Sequence, residues 1–137
     1  MTTAVRTAEA DTSLDHFAGP LGHVARALFS IPMAVPGAMH LVAADSMAAA
    51  VPSWVPGGVF WVYFTGLALL AGAIGIHTRR FAAAAGLGIA ALMGIFAFTV
   101  HLPMMAEEAT RQMAMVGFMK DLGLAGGALA IALLSRR

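Results

Sequence analysis

Five ionisable side chains interrupt the apolar stretches of this sequence, namely Arg26, His40, His101, Lys120 and Asp121. A charged group at the centre of a bilayer costs at least about 2.5 kcal/mol on insertion scales, so such a residue needs a function or a specific partner. An imidazole exchanges protons near neutral pH, a carboxylate can orient or relay a proton, and an ammonium stabilises developing negative charge. These residue types therefore predict proton-linked ligand chemistry inside a membrane, provided that the fold brings them together.

The overall composition is typical of a membrane protein. Of the 137 residues, 60% are hydrophobic and 11% are charged, and the mean hydropathy is +0.83. A soluble domain is closer to about 25% charged. The net charge of +1 comes without a basic patch, which excludes a nucleic-acid-binding protein. The absence of cysteine from the sequence excludes disulfides, thiolate metal sites and thiol nucleophiles.

Four apolar stretches are long enough to cross a bilayer as helices, which takes about 20 residues for about 30 Å of hydrocarbon. Their apolar residues are continuous and do not alternate with a period of two, so helices are predicted rather than the strands of a barrel. The sequence therefore predicts an all-α fold, an integral membrane four-helix bundle over residues 21–137, after a short polar cytoplasmic tail over residues 1–20. The predicted helices cover residues 21–44, 59–76, 81–100 and 112–134.

The distribution of Lys and Arg predicts the orientation of these helices, because cytoplasmic connections carry an excess of both. Only Arg111 lies in a connection on the opposite side. Both termini are therefore expected in the cytoplasm, in a multi-pass protein of the inner (cytoplasmic) membrane, with residues 45–58 outside. Trp54, Trp61 and Tyr63 are expected at the membrane interface. Six arginines are expected on the cytoplasmic side: Arg6, Arg26, Arg79, Arg80, Arg136 and Arg137.

Helical spacing predicts which side chains share a face. On the first helix, Arg26 and His40 fall on one stripe, because they are fourteen residues apart. His101 on the third helix and Asp121 on the fourth each lie among small residues that favour close helix packing. With the predicted orientation, one polar cavity in the outer half of the membrane, between the first, third and fourth helices, would hold His40, His101, Lys120 and Asp121. Arg26 would close its cytoplasmic end or pair locally.

Structural explanations remain open for the same residues. Either histidine could reach interfacial water from a helix end, and Arg26 could extend its guanidinium to the cytoplasmic surface. Lys120 and Asp121 could be a structural ion pair that specifies the bundle. Adjacent residues on a helix do not face each other, however, so at least one of the two is expected to have a partner elsewhere.

A metal site is a further alternative, although no residue is assigned to one. Ten methionines are present, and the run from His101 to Met105 combines imidazole with thioethers, which suits Cu(I). A haem held between His40 and His101 is also conceivable, because both are expected at outer helix ends. Copper and haem are both less well supported than an organic ligand, since neither has a regular ligand motif.

Several short motifs, in their order along the chain, resemble the DoxX family of small four-helix membrane proteins. The resemblance implies the same five residues, and it implies association with quinone-linked sulfur oxidation, with membrane complexes that handle oxidative stress, or with maturation of periplasmic enzymes. The matching segments are Arg26-Ala-Leu-Phe-Ser, Gly37-Ala-Met-His40, Thr65-Gly66, Gly75-Ile-His-Thr-Arg79, His101-Leu-Pro103 and Lys120-Asp121-Leu.

Two functional hypotheses follow. In the first, the protein is an accessory subunit of a quinone-linked oxidoreductase. His101, Asp121 and Lys120 would then be catalytic, and Arg26, His40, His101 and Lys120 would bind a quinone or another small hydrophobic ligand. A membrane or periplasmic protein partner would carry the electrons. In the second, the protein is a non-catalytic assembly protein or chaperone. Self-association in the lipid bilayer is plausible under both.

Overall fold

In the computed structural model, every regular element found within residues 2–78 and 80–135 is helical. These two ranges are the part of the chain that the structure describes, with side chains described from Gly19 onward. The elements are α1 (Thr2–Val42), α2 (Ala44–Met47), a 3-10 turn (Ala48–Ala50), α3 (Gly58–Gly75), α4 (Ala82–Phe96), a π-helical turn (Ala97–His101), α5 (Leu102–Met104) and α6 (Arg111–Leu134).

The expected all-α architecture with four candidate membrane spans is confirmed. By length and composition, the segments that could cross a membrane are Gly19–Val42, Gly58–Gly75, Ala82–Met104 and Arg111–Leu134. The cytoplasmic position of both termini stays a prediction. Of the arginines on which it depends, Arg6, Arg79, Arg136 and Arg137 lie outside the residues whose side chains are described.

Two boundaries differ from those expected. The first helix begins at Thr2, so its backbone continues through the region predicted as a polar tail. The third span continues past residue 100 to Met104, through the π-helical turn. Pro103 accounts for this turn, because it has no N–H for the Thr99 carbonyl four residues earlier and its ring crowds that carbonyl. The widened turn is closed instead by the Leu102 N–H, which donates to the Ala97 carbonyl.

Glycines set the distance between α1 and α3, which pack along each other. A Cβ atom on Gly66 would lie 2.6 Å from the Cβ of His40 and 3.0 Å from the Gly37 carbonyl oxygen. Only residues without a side chain permit this approach, as at other close crossings of membrane helices. This close crossing holds His40 against α3, one turn after Pro36.

Small residues also join α4 to α6, the other extensive helix pair. A Cβ atom on Gly86 would lie 2.6 Å from the carbonyl oxygen of Ala128, which is itself fully buried. Larger side chains fill the centre of the bundle, among them Met33, Leu69 and Ile89. Many large apolar side chains on the outer faces are exposed, as a lipid-facing surface requires.

Candidate functional site

A cavity of about 650 Å³ lies between α1, α3 and the third span, beneath the segment that joins α1 to α3. Its walls are mostly apolar and include both tryptophans, Trp54 and Trp61. Polar groups are few, which makes each of them important for orienting a ligand. The lining side chains that carry polar groups other than the indoles are His40, Thr65, Thr99, His101 and Lys120.

His101 and Lys120 meet at the carboxylate of Asp121 behind this cavity. The Nδ1 atom of His101 lies 2.8 Å from Oδ2 of Asp121, and Nζ of Lys120 lies 3.2 Å from Oδ1. The Asp121 side chain is 0% exposed, whereas those of His101 and Lys120 are 22% and 50% exposed. A buried carboxylate needs compensating charge and donors, and these two side chains supply both.

The contact between His101 and Asp121 is close but not well aligned. His101 Nδ1 and both Asp121 carboxylate oxygens are buried, and none of the three makes a hydrogen bond of good angular geometry within the described residues. At 2.8 Å two bare lone pairs would repel, so the contact suits a protonated Nδ1, which a rotation of the ring would aim at Oδ2. The dyad thus pairs a buried carboxylate with an imidazole nitrogen that can donate to it.

Gly117 makes room for the imidazole of His101. A Cβ atom at this position would overlap Cδ2 and Nε2 of the ring. Gly117 lies on the same face of α6 as Asp121, one turn before it, so the missing side chain lets the ring lie flat against α6 and reach the carboxylate. The π-helical turn ends at His101 and contacts α6, which completes this placement.

His40 is held by its own helix. Its Nδ1 lies 2.7 Å from the carbonyl oxygen of Pro36, and its ring stacks on Phe96 with 6.3 Å between centroids. A carbonyl oxygen can only accept, so Nδ1 carries the proton and donates it. Two prolines, Pro32 and Pro36, line the same wall of the cavity and withhold two backbone N–H donors from α1.

Arg26 lies elsewhere, near the C-terminal end of α3. Its Nη1 donates to the carbonyl oxygen of Ile76 at 3.1 Å. Beside it, the Ser30 hydroxyl lies 2.7 Å from both the Arg26 carbonyl oxygen and Nε2 of His77. The last carbonyls of a helix lack intrahelical donors and carry partial negative charge, so a guanidinium there stabilises the helix end. This arrangement matches the local pairing considered for Arg26.

The structure therefore brings four of the five predicted residues together, but the cavity lies between the first three spans and not between the first, third and fourth as expected, because α3 forms a wall and α6 contributes only Lys120. His40, His101 and Lys120 line the cavity, and Asp121 lies behind the latter two. The sequence interpretation missed the acceptor for His40, the role of Gly117 and the tryptophans as cavity walls. Gly117 and Asp121 are four residues apart and share a helix face, so the sequence did contain a signal for the role of Gly117. The contribution of the tryptophans depends on how the connecting segment folds over the bundle.

Three of the ten methionines, Met47, Met93 and Met104, line the cavity. Others lie on outer faces, including Met39, Met113 and Met119, which are 49%, 68% and 62% exposed. Met104 lines the cavity close to His101 in sequence. Across the described residues, no group of three His, Cys, Asp or Glu side chains is placed to hold a metal ion.

The fold and the site define a small four-helix protein with candidate membrane spans and an apolar cavity that contains a histidine–aspartate–lysine cluster. Residues 29–133 match the family model DUF8561, described as a domain of unknown function, and the chain belongs to this family. No curated protein and no solved structure matches the chain. The resemblance to the DoxX family stays a prediction.

Proposed function

We propose that this protein binds a lipophilic ligand with a ring-shaped, oxygen-bearing head group, of the quinone or phenol type, in the cavity between α1, α3 and the third span. The observation that carries this proposal is the cavity itself. Its volume of about 650 Å³ falls in the range of about 300 to 1,000 Å³ typical of small-molecule sites, and its walls are apolar with a few convergent polar groups.

The side chains around the cavity suit such a head group. Phe96, Trp54 and Trp61 offer aromatic surfaces to a flat ring. His40, His101 and Lys120 offer nitrogen atoms to its oxygens. The lipophilic tail of the ligand would extend between helices into the surrounding lipid.

The buried dyad of His101 and Asp121 gives this site a possible chemical role. When a ligand hydroxyl hydrogen-bonds to Nε2, that nitrogen can take the hydroxyl proton while Nδ1 gives its own proton to Oδ2, 2.8 Å away. Lys120 offsets the charge of the carboxylate while the proton moves. The protein would then serve as the ligand-binding subunit of a membrane redox system, and a partner protein would carry the electrons.

We further propose that both termini face the cytoplasm, with the cavity in the outer half of the inner membrane. Arg26 and Arg80 then lie at the cytoplasmic side, as the excess of Lys and Arg predicts. The segment with Trp54, which is 74% exposed, then lies at the outer interface, where amphipathic rings are favoured.

Quenching of tryptophan fluorescence tests the proposed binding, because the two tryptophans of the chain both line the cavity. A decyl-tailed benzoquinone is added to the protein in nanodiscs, and saturable quenching is expected. The variant Thr99→Phe fills the cavity from one wall and should abolish the saturable component. A matched variant, Ala130→Phe, adds the same ring to an exposed position of α6 and should leave quenching unchanged.

Two results would count against the proposal. Quenching that rises linearly with concentration, both for this quinone and for its hydroquinone, would show partition into lipid without a site. Equal quenching in wild type and Thr99→Phe would show that the quinone binds somewhere other than this cavity.

A further inference from the structure

We infer that the cavity selects ligands whose head group donates a hydrogen bond, namely phenols and hydroquinones, over ligands of the same shape that only accept, such as aryl ethers and quinones. This inference rests on the proposed function, because it specifies the ligand class of the same cavity. It follows from how the two imidazoles that line the cavity are already committed to protein partners.

In His40 the single proton of a neutral imidazole is already in use. Nδ1 donates to the Pro36 carbonyl at 2.7 Å. The other ring nitrogen, Nε2, is then left with a lone pair and can only accept. It has no hydrogen-bond partner among the described residues, and it is not one of the buried polar atoms. His40 therefore presents an unused acceptor to a ligand in the cavity.

The His101 ring has the same polarity. Its Nδ1 is buried and faces the Asp121 carboxylate at 2.8 Å, where a protonated nitrogen avoids repulsion. Nε2 lies beside Gly117 and is not among the buried atoms without a partner. It too is an acceptor when the ring is neutral.

Lys120 and the fully buried Asp121 offset each other, so a neutral His101 leaves the cluster without net charge. A second cation on either ring would add an uncompensated charge to an apolar cavity that Lys120 already lines.

Lys120 explains why a hydroxyl is the best match. Its half-exposed ammonium has three donors and uses one for Asp121, so it can donate to a ligand oxygen. A hydroxyl oxygen accepts from Lys120 and also donates to an imidazole. A quinone carbonyl or an ether oxygen can only accept, and it leaves the histidine nitrogens without a partner once water is displaced.

The test compares para-hexylphenol with its methyl ether, which differ in the donor and share the ring and the tail. Binding to the full chain in nanodiscs is measured by calorimetry, with empty nanodiscs to correct for partition into lipid. For wild type, we expect the phenol to bind about tenfold more tightly, the usual effect of one well-made hydrogen bond in a buried site. This comparison needs no variant, so it holds even if a variant fails to fold.

Two variants test whether the preference for the phenol depends on His40. His40→Phe retains a flat ring against Phe96 but removes the acceptor, and the preference for the phenol should fall several-fold. The control is Thr65→Val, which also removes a polar atom from the cavity wall. The Thr65 hydroxyl already donates to the Trp61 carbonyl at 2.7 Å, so this variant should retain the full preference.

The outcomes separate this inference from the function on which it rests. Equal affinity for the phenol and the ether, or binding of the quinone with no binding of the phenol, overturns the inference and leaves the cavity as a ligand site. If the quinone, the phenol and the ether all fail to bind, the proposed function fails as well.

Discussion

The imidazole of His101 and the carboxylate of Asp121 face each other from different helices, with 2.8 Å between Nδ1 and Oδ2 and no solvent exposure of the carboxylate. The two residues are twenty positions apart in sequence, and the connection between them reverses the direction of the chain. Their contact joins the end of the third span to α6. It therefore contributes to holding the bundle together, whatever ligand the cavity takes.

Replacement of Lys120 by alanine should be more costly than replacement of Asp121 by alanine. Asp121→Ala leaves His101 Nδ1 buried without an acceptor, and we expect a loss of about 1 to 3 kcal/mol in the free energy of unfolding. Asp121→Asn retains an acceptor oxygen and should lose less. Lys120→Ala should lose more, about 3 kcal/mol, because it leaves the fully buried carboxylate without its cation. Reversible unfolding in mixed detergent micelles measures all three, and equal losses for Asp121→Ala and Lys120→Ala would contradict this ranking.

Gly117 should tolerate no side chain. In Gly117→Ala the new methyl group overlaps the His101 ring, so the ring must leave Asp121. We expect lower stability and loss of ligand binding together. Gly123→Ala on the same helix is the control, because a Cβ there meets nothing within 4 Å. It should be neutral or stabilise by up to about 1 kcal/mol, as alanine does in a helix. If both variants unfold alike, His101 is not held by Gly117.

Arg26 should affect stability without affecting the cavity. Arg26→Gln removes the charge at the C-terminal end of α3 and weakens the bond to the Ile76 carbonyl, so a loss of about 0.5 to 1.5 kcal/mol is expected. Ligand affinity, measured by tryptophan quenching at a temperature where the variant is folded, should remain that of wild type. A weaker affinity would indicate that Arg26 contributes to ligand binding, as the sequence suggested.

The orientation can be read by cysteine labelling, because the natural sequence contains no cysteine. A Ser53→Cys variant places a thiol in the segment before α3, and Thr78→Cys places one in the turn after it. In intact cells, a membrane-impermeant maleimide should label Ser53→Cys and should label Thr78→Cys only after lysis. The reverse pattern would place both termini outside and the cavity in the inner half of the membrane.

The four helices were predictable because an apolar run of the right length has few other stable structures in lipid. The shared helix face of Asp121 and Gly117 was also predictable, since it depends only on the period of the helix. The hydrogen bond from His40 to Pro36 was not predicted, although it is local, because it depends on the rotamer of the imidazole. The cavity wall that contains Trp54 was not predictable either, since the path of residues 48–57 is set by contacts with the finished bundle.

The π-helical turn before Pro103 makes the position of His101 depend on the number of residues as well as on their identity. If the same residues formed a regular α-helical turn, the imidazole would lie about 100° further around the helix axis, away from α6, with every side chain unchanged in type. The site is thus encoded partly in the spacing of the chain. Among members of the family, chains that have the same number of residues here but form a regular α-helical turn would retain the histidine and lack the dyad.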